Sequence, residues 1–207
     1  MNNINFLSKL KFILKRPKVV IVAGEGRACA AEAIRKVLKR APNKILIIEA
    51  DFPPSDNRHL TGLIKKSSLP ILVVTHTGDI PWEKTKEIIK LAKILPPHGF
   101  LILNSDDETT REVKTESNAR SLTFGFQEEA DFRASDVKLN TGVNFKINYK
   151  GNIVPVWLEK LFSKKQVYSA LAAAGVGVVF DLNLVEISQA LKDYQGLPES
   201  ELALRSP

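Results

Sequence analysis

The sequence predicts an α/β fold with a mostly parallel, doubly wound sheet, and two observations carry that prediction. Short runs of β-branched and aliphatic residues recur at 18–24, 44–50, 70–76 and 99–105, a composition typical of strands buried on both faces of a parallel sheet. Segments with helical spacing of apolar residues separate these runs, and the links are short. A βαβαβαβ order with short links favours parallel strands with helices on both faces.

The segments between the strands predict four helices, and one has a clear start. Asp79 is a good N-cap for the third helix, and Pro81 falls in its first turn, where proline is tolerated. The predicted helices cover residues 28–40, 57–66, 81–95 and 107–116.

The pattern changes after residue 120. SLTFGF, DFRASDVKL, NFKINYK and NIVPVWL predict consecutive short strands, which we expect to form a small antiparallel patch beside the main sheet. Two helices over 163–179 and 182–194 follow, and the first carries the small-residue stretch SALAAAGVG, which is typical of close helix packing.

The N-terminal residues predict a basic amphipathic helix ended by Pro17. We therefore divide the chain into this helix (1–17), a main domain (18–198) and a tail (199–207). The apolar stripe either packs on the domain or lets residues 4–16 lie on an anionic membrane surface. The stripe comprises Phe6, Leu7, Leu10, Ile13 and Leu14, and the basic residues beside it are Lys9, Lys11, Lys15 and Arg16.

Composition and charge exclude several classes of protein. A hydrophobic content of 44% and a charged content of 26% are those of a globular domain, and no apolar run approaches the roughly 20 residues of a membrane helix. The lone Cys29 excludes an internal disulfide, so we predict a cytoplasmic protein, in part peripheral at the inner membrane face. The net charge of +7 is concentrated in residues 1–48, but no aromatic-interleaved basic stripe or zinc-finger spacing indicates nucleic acid as a partner.

A glycine-containing turn follows the first strand, where α/β folds bind phosphate with backbone N–H groups and a helix N-terminus. Its glycines are Gly24 and Gly26, and Arg27 opens the next helix. Many turns with two glycines bind no phosphate, so the turn alone leaves its role open. Glu25 adds a carboxylate within the loop, which would oppose a bound phosphate.

Read with its surroundings, this turn resembles that of the Mur ligases, which join amino acids or peptides to a cell-wall precursor. The segments VVIVAGEGRACAAEAI and LPPHGFLILNSDDE carry the resemblance, as do TFGFQEEADFRASDV and VYSALAAAGVGVVFDLNLVEISQAL. The similarity covers about residues 18–198 and is to the family's central, ATP-binding domain, with the UDP-N-acetylmuramoyl-tripeptide:D-alanyl-D-alanine ligase as the nearest member.

The resemblance implies site residues for a nucleotide and a metal. Gly24, Gly26 and Arg27 take the positions that contact the phosphates. Asn104 and Asp107 take those that hold the adenine, although the same residues suit an ordinary capped turn between a strand and a helix. Glu49 takes the position of a Mg²⁺-binding carboxylate, although it is equally an ordinary strand-end carboxylate.

Several positions depart from the family pattern. Arg27 replaces the loop lysine, and Ala28 replaces the hydroxyl that would bind Mg²⁺. Pro81 replaces a metal-binding histidine, Ile88 replaces a carbamylated lysine, and Lys165 with Gln166 replaces a His-Asn pair. Sequence resembling the family's N- and C-terminal domains is absent from these 207 residues.

Two functional hypotheses remain at this stage. The first is a non-catalytic or catalytically impaired domain of peptidoglycan precursor synthesis that contacts a precursor or a cell-wall ligase; its binding of ATP and Mg²⁺ is weak or lost. The alternative is an ATP-dependent amide ligase completed by a separate C-terminal domain or partner. We assign no catalytic residue, and we expect His59, His76 and His98 to be structural.

Overall fold

The computed structural model describes residues 16–39, 41, 45–51, 58–159, 161 and 163–197. The predicted helix over residues 4–15 and the tail 199–207 lie outside the described residues, so both stay predictions. Pro17 leads into the first strand, and its carbonyl accepts a hydrogen bond from the Ser67 hydroxyl at 2.8 Å. Within the described part of the chain, no helix is long and apolar enough to cross a membrane.

Eight strands form one sheet. They are β1 (Lys18–Ala23), β2 (Ile45–Glu49), β3 (Leu69–Val74), β4 (Phe100–Asn104), β5 (Arg120–Gly125), β6 (Phe132–Leu139), β7 (Gly142–Tyr149) and β8 (Asn152–Glu159). The order across the sheet is β2-β1-β3-β4-β5-β6-β7-β8. The first four strands are the four that the buried apolar runs predicted, and they pair in parallel.

Six helices lie among the described residues. They are α1 (Arg27–Leu38), α2 (Arg58–Lys66), α3 (Trp82–Lys93), α4 (Thr109–Thr115), α5 (Lys164–Val179) and α6 (Leu184–Leu191). Each corresponds to a predicted helix, and the main differences are at the ends. Asp107 and Glu108, for example, precede α4, which begins at Thr109 rather than at residue 107.

The antiparallel part of the sheet is smaller than the sequence predicted. SLTFGF lies largely in β5, which runs parallel to β4 because α4 carries the chain back to the opposite end of the sheet. The start of β6 is also parallel to β5, through the pairs Phe124–Phe132 and Gly125–Arg133. Antiparallel pairing begins only between β6 and β7 and continues to β8. The antiparallel strands β6, β7 and β8 thus form one edge of the eight-stranded sheet.

Helices cover both faces of the sheet, which confirms the doubly wound arrangement. Consecutive residues of β1 point to opposite faces, so Val20 and Val22 pack towards α1, α5 and α6, whereas Val19 and Ile21 pack towards α2, α3 and α4. Both faces of the sheet are buried at β1. This is why its sequence is a continuous apolar run rather than an alternation of apolar and polar residues.

The small residues of α5 allow it to lie close to its neighbours. A Cβ at Gly175 would stand 3.1 Å from Ile102 of β4, and one at Gly177 would stand 2.9 Å from both Ile187 of α6 and Val37 of α1. The stretch SALAAAGVG is therefore a packing surface, as the sequence indicated, and it places the first turn of α5 beside the loop after β1.

Candidate functional site

A cleft of about 230 Å³ opens at the carboxyl ends of β1, β3 and β4. In the sheet, β2 lies on one side of β1 and β3 lies on the other, so the strand order reverses at β1. Open α/β sheets bind ligands at such a reversal. The cleft is lined by Glu25, Gly26, Thr75, His76, Asp79, Asn104, Asp106, Lys165, Tyr168 and Ser169.

The loop after β1 is fastened to the end of β3. Gly24 and Gly26 have φ values of 100° and 75°, in the left-handed region that glycine adopts most readily. A Cβ at Gly24 would stand 2.6 Å from the His76 carbonyl oxygen, so only glycine fits there. The Glu25 N–H donates to that same carbonyl at 2.7 Å, and the Thr75 hydroxyl donates to the Glu25 carbonyl at 2.5 Å.

Arg27 and Ala28 begin α1 directly after this loop. The Arg27 guanidinium forms an ion pair with Asp51, just beyond β2, at 3.0 Å, so it reaches towards the edge of the sheet rather than into the cleft. Ala28 is buried and has no hydroxyl. Gly26 is the N-cap of α1 and has no side chain with which to cap it, which leaves the amino end of the helix to backbone and ligand groups.

Glu25 forms an ion pair across the mouth of the cleft. Its carboxylate lies 3.0 Å from the Lys165 ammonium, which belongs to the first turn of α5. The hydrogen bond and the charge of Glu25 raise the pKa of Lys165. The carboxylate that the sequence placed against a phosphate is therefore neutralised within the protein.

Asp107 is a buried carboxylate held by two threonines. Its Oδ2 accepts hydrogen bonds from the Thr77 N–H at 2.5 Å and the Thr77 hydroxyl at 3.0 Å. Its Oδ1 accepts from the Thr109 N–H at 3.1 Å and the Thr109 hydroxyl at 2.7 Å. Burial alone raises the pKa of the Asp107 carboxyl, but these hydrogen bonds outweigh burial and lower it. Asp107 thus joins the loop after β3 to the start of α4.

Asn104 and Asp106 form the floor of the cleft beside Tyr168. The buried Asn104 accepts a hydrogen bond from the Asp106 N–H at 3.1 Å. The Asp106 carboxylate accepts from the N–H groups of Phe126 and Gln127 and from the Tyr168 hydroxyl at 2.9 Å. Burial, together with the hydrogen bond to Asp106, raises the pKa of Tyr168. Asp106 therefore ties β4, the end of β5 and α5 together.

Glu49 lies at the end of the edge strand β2. Its carboxylate is 3.0 Å from the Arg35 guanidinium of α1, so metal binding at Glu49, which stays a prediction, requires that this ion pair open. Among the described residues, no group of three or more His, Cys, Asp or Glu side chains is arranged to hold a metal ion. Ala28 also lacks the hydroxyl that the resemblance assigns to Mg²⁺ binding, and Mg²⁺ binding by this chain stays a prediction.

Asp79 differs from the sequence-based prediction, and its neighbour His76 lines the cleft. Asp79 was expected to cap α3, but Pro81 is the N-cap and α3 begins at Trp82. Asp79 stands two residues before that cap and contacts the His76 ring at 3.2 Å. The other His76 ring nitrogen lies 3.3 Å from Asp107. His76, which the sequence placed among the structural histidines, thus lies in the wall of the cleft.

The structure therefore brings together only part of the predicted set. Gly26 and Asn104 line the cleft, Gly24 shapes its loop, and Asp107 stands just behind His76. Arg27 and Glu49 are directed to ion-pair partners outside the cleft.

The sequence analysis gave no role to Thr75 or Tyr168, whose side chains line the cleft. Lys165, which also lines the cleft, was noted only as a departure from a His-Asn pair. The one indication available from sequence was position: residues after a parallel strand or at the start of a neighbouring helix meet at the same edge of the sheet.

Comparison with known proteins agrees with this architecture. The family described as the Mur ligase middle domain matches residues 83–177. A UDP-N-acetylmuramate–L-alanine ligase from Persephonella marina is 29% identical over 183 residues, which cover 85% of this chain and 37% of the relative. The chain spans about a third of the length of the first curated relatives it matches.

Solved structures share the fold. A D-alanyl-D-alanyl ligase of muramyl peptides from Acinetobacter baumannii aligns with a TM-score of 0.73 at 14% identity, covering 92% of this chain and 48% of that one. MurF ligase from Thermotoga maritima in complex with ADP aligns with a TM-score of 0.65 at 14% identity, covering 86% and 50%. Curated relatives and structures thus name different members, and no single member is distinguished.

Proposed function

Since this chain is a relative of the Mur ligases through their central domain, we propose that it is a nucleotide-binding module of peptidoglycan precursor synthesis that does not catalyse ligation itself. One observation supports this above the others. The loop after β1 keeps the geometry of a phosphate-binding turn, but the groups that would act on a phosphate or a metal are replaced or paired within the protein.

The shape of the loop supports binding of an anion. Gly24 and Gly26 keep the left-handed conformations, and the amino end of α1 faces the end of the loop, where the helix dipole favours negative charge. The cleft of about 230 Å³ is below the roughly 300–1,000 Å³ of small-molecule sites. A cleft of this size would therefore hold part of a nucleotide and leave the rest in solvent. Because few contacts would form, we expect nucleotide binding to be weak.

The replaced metal ligands and the paired loop arginine argue against catalysis of phosphoryl transfer by this chain. Phosphoryl transfer depends on a metal ion and cations that stabilise the charge of the transferring group. Ala28 offers a metal no ligand, and Ile88, at the position of a carbamylated lysine, is fully buried in the core. Arg27 is paired with Asp51. No catalytic step is assigned to the residues that remain.

Phosphate release tests the non-catalytic part of the proposal. The full chain, incubated with Mg²⁺-ATP with and without a muramyl-peptide precursor, is expected to release no phosphate above a protein-free control. Turnover that the Glu49→Ala variant abolishes would overturn the proposal, because that carboxylate is the metal ligand of the catalytic alternative.

Thermal unfolding tests the binding part. ADP at millimolar concentration is expected to raise the melting temperature, because a ligand that prefers the native state stabilises it. The double variant Arg27→Lys with Ala28→Ser restores a loop lysine and hydroxyl and is expected to enlarge the shift. Lys36→Arg, a charge-conserving change farther along α1, is the matched control. Equal shifts in the double variant and the wild type would show that the loop is not the binding site.

The alternative is an ATP-dependent amide ligase completed by a separate C-terminal domain or partner. The chain spans about a third of the length of these relatives, and this alternative requires that a separate domain or partner supply the missing ligase groups. Adding a separately produced C-terminal ligase domain to the phosphate-release assay distinguishes the two. Turnover only in the mixture would support the alternative, whereas binding without turnover would support a scaffold that contacts a cell-wall ligase or precursor.

A further inference from the structure

The Glu25–Lys165 ion pair joins two elements that are far apart in sequence. Glu25 lies in the loop after β1, and Lys165 lies in the first turn of α5, with 3.0 Å between the carboxylate and the ammonium. Both side chains line the cleft. The pair therefore stands at the entrance through which an anion would approach the loop.

The backbone that carries Lys165 is held in place, whereas its side chain is largely exposed to solvent. Ser163 and Gln166 form a capping box at the amino end of α5, which fixes the first turn beside the loop. The Lys165 side chain is 79% exposed and that of Glu25 is 41% exposed. Exposed ion pairs contribute little to stability, so exchanging the partner of Lys165 costs little.

The other acidic groups of the cleft are already engaged by the protein. The Asp106 carboxylate accepts hydrogen bonds from two backbone N–H groups and the Tyr168 hydroxyl. Asp79 contacts the His76 ring. Among these carboxylates, Glu25 is thus the one whose ion-pair partner is an exposed lysine rather than the backbone or a ring.

We propose that Lys165 is the cation that binds the phosphoryl group of the ligand, and that Glu25 is an internal anion that holds Lys165 when no ligand is bound. The inference rests on the proposed nucleotide-binding function. Arg27, at the start of α1, is paired with Asp51 outside the cleft, so Lys165 supplies from α5 the positive charge that the loop lacks. The ligand class is a phosphoryl anion, here a nucleoside diphosphate.

This exchange predicts opposite effects for the two members of the pair. Glu25→Gln removes the competing carboxylate and leaves Lys165 available, so ADP is expected to bind about ten-fold more tightly. Lys165→Gln removes the cation and is expected to weaken ADP binding by at least about ten-fold, because a hydrogen bond to a charged group is among the strong ones. Adenosine, which has no phosphate, is expected to be insensitive to Lys165→Gln.

The decisive comparison is Lys165→Gln in a background that already carries Glu25→Gln. If Lys165 contacts the phosphate, the double variant binds ADP at least about ten-fold more weakly than Glu25→Gln alone. If Lys165 only neutralises Glu25, removing it from that background changes nothing. Titration calorimetry of the full chain and its variants with ADP, inorganic pyrophosphate and adenosine measures these affinities, at low salt and with circular dichroism to confirm folding.

The outcomes separate this inference from the proposed function. Equal ADP affinity of the Glu25→Gln variant and the double variant would overturn the role of Lys165 and leave nucleotide binding intact. Absence of ADP and pyrophosphate binding in every variant would overturn both. Pyrophosphate binding to Glu25→Gln that is lost in the double variant, without any binding of ADP, would support the phosphoryl site and count against the nucleotide.

Discussion

Three charged residues in or after the loop that follows β1 form ion pairs that no local sequence pattern indicates. Glu25 pairs with Lys165, Arg27 with Asp51, and Arg35 with Glu49. These pairs are partly exposed, so each contributes little to stability and each can open when a ligand or metal competes.

Asp107 belongs to a different class of residue, because it is buried and accepts four hydrogen bonds from Thr77 and Thr109. In an Asp107→Asn variant, one acceptor oxygen becomes a donor that faces other donors. We expect this variant to lose about 2 kcal/mol of unfolding free energy at pH 7. Asp193→Asn, at an exposed position, is the matched control and is expected to change the unfolding free energy by less than about 0.5 kcal/mol.

The stability lost in Asp107→Asn is expected to depend on pH, because the pKa of Asp107 is lowered in the folded wild-type protein. A carboxyl whose pKa is lower in the folded state than in the unfolded state stabilises the fold at any pH above its unfolded-state pKa, here 3.8. That stabilisation is lost as the pH falls through the folded-state pKa. The difference between wild type and Asp107→Asn, measured by urea unfolding, is therefore expected to shrink below about pH 4. A constant difference from pH 7 to pH 3 would contradict it.

Among the elements, α5 has the most demanding packing. It lies against the sheet, α1 and α6, and its glycines stand where a side chain would meet its neighbours. The same contact positions Ser169, Tyr168 and Lys165 over the cleft. The close packing of α5 therefore also shapes the cleft.

Two glycine-to-alanine changes, one in α5 and one in α2, are expected to have opposite effects. At Gly177 a Cβ would stand 2.9 Å from Val37 and Ile187, so Gly177→Ala is expected to cost about 1–3 kcal/mol through overpacking. At Gly62 of α2 a Cβ would meet nothing within 4 Å, so Gly62→Ala is expected to stabilise by about 0.5–1 kcal/mol. Chemical unfolding of both variants measures this, and a loss at Gly62 or a gain at Gly177 would contradict the packing described.

At the scale of the whole molecule, the cleft is a product of the strand order. The loop after β1, the end of β3 and the end of β4 meet because the three strands are neighbours and parallel. Asp106 then links that edge to β5 and α5. Binding in the cleft would therefore bear on residues from 25 to 169, which is most of the domain.

The N-terminal segment carries a prediction of its own, because residues 4–15 lie outside the described residues. Its lysines are expected to attract an anionic membrane surface, each contributing about 1 kcal/mol. The full chain should therefore sediment with anionic liposomes in a salt-sensitive manner, and Lys9→Glu with Lys11→Glu should reduce this binding. Lys138→Glu with Lys146→Glu, in β6 and β7, controls for general charge. Equal sedimentation of both double variants, or none with wild type, would remove the membrane as a partner.

The amino-acid sequence by itself determined the fold class, the four parallel strands and the place of the glycine-containing turn after β1. It could do so because burial on both faces, helical periodicity and glycine in a tight turn are local constraints that leave a direct trace in residue order. The resemblance to the Mur ligases also came from contiguous segments such as the one that ends at Asp107.

Only the tertiary structure decided what the charged groups do. Whether Glu25 repels a phosphate or is neutralised depends on Lys165, which lies 140 residues away. The direction of β5 depended in the same way on the crossover through α4. Electrostatic partners and strand directions are set by which elements meet in space, and residue order carries no periodic trace of such long-range contacts.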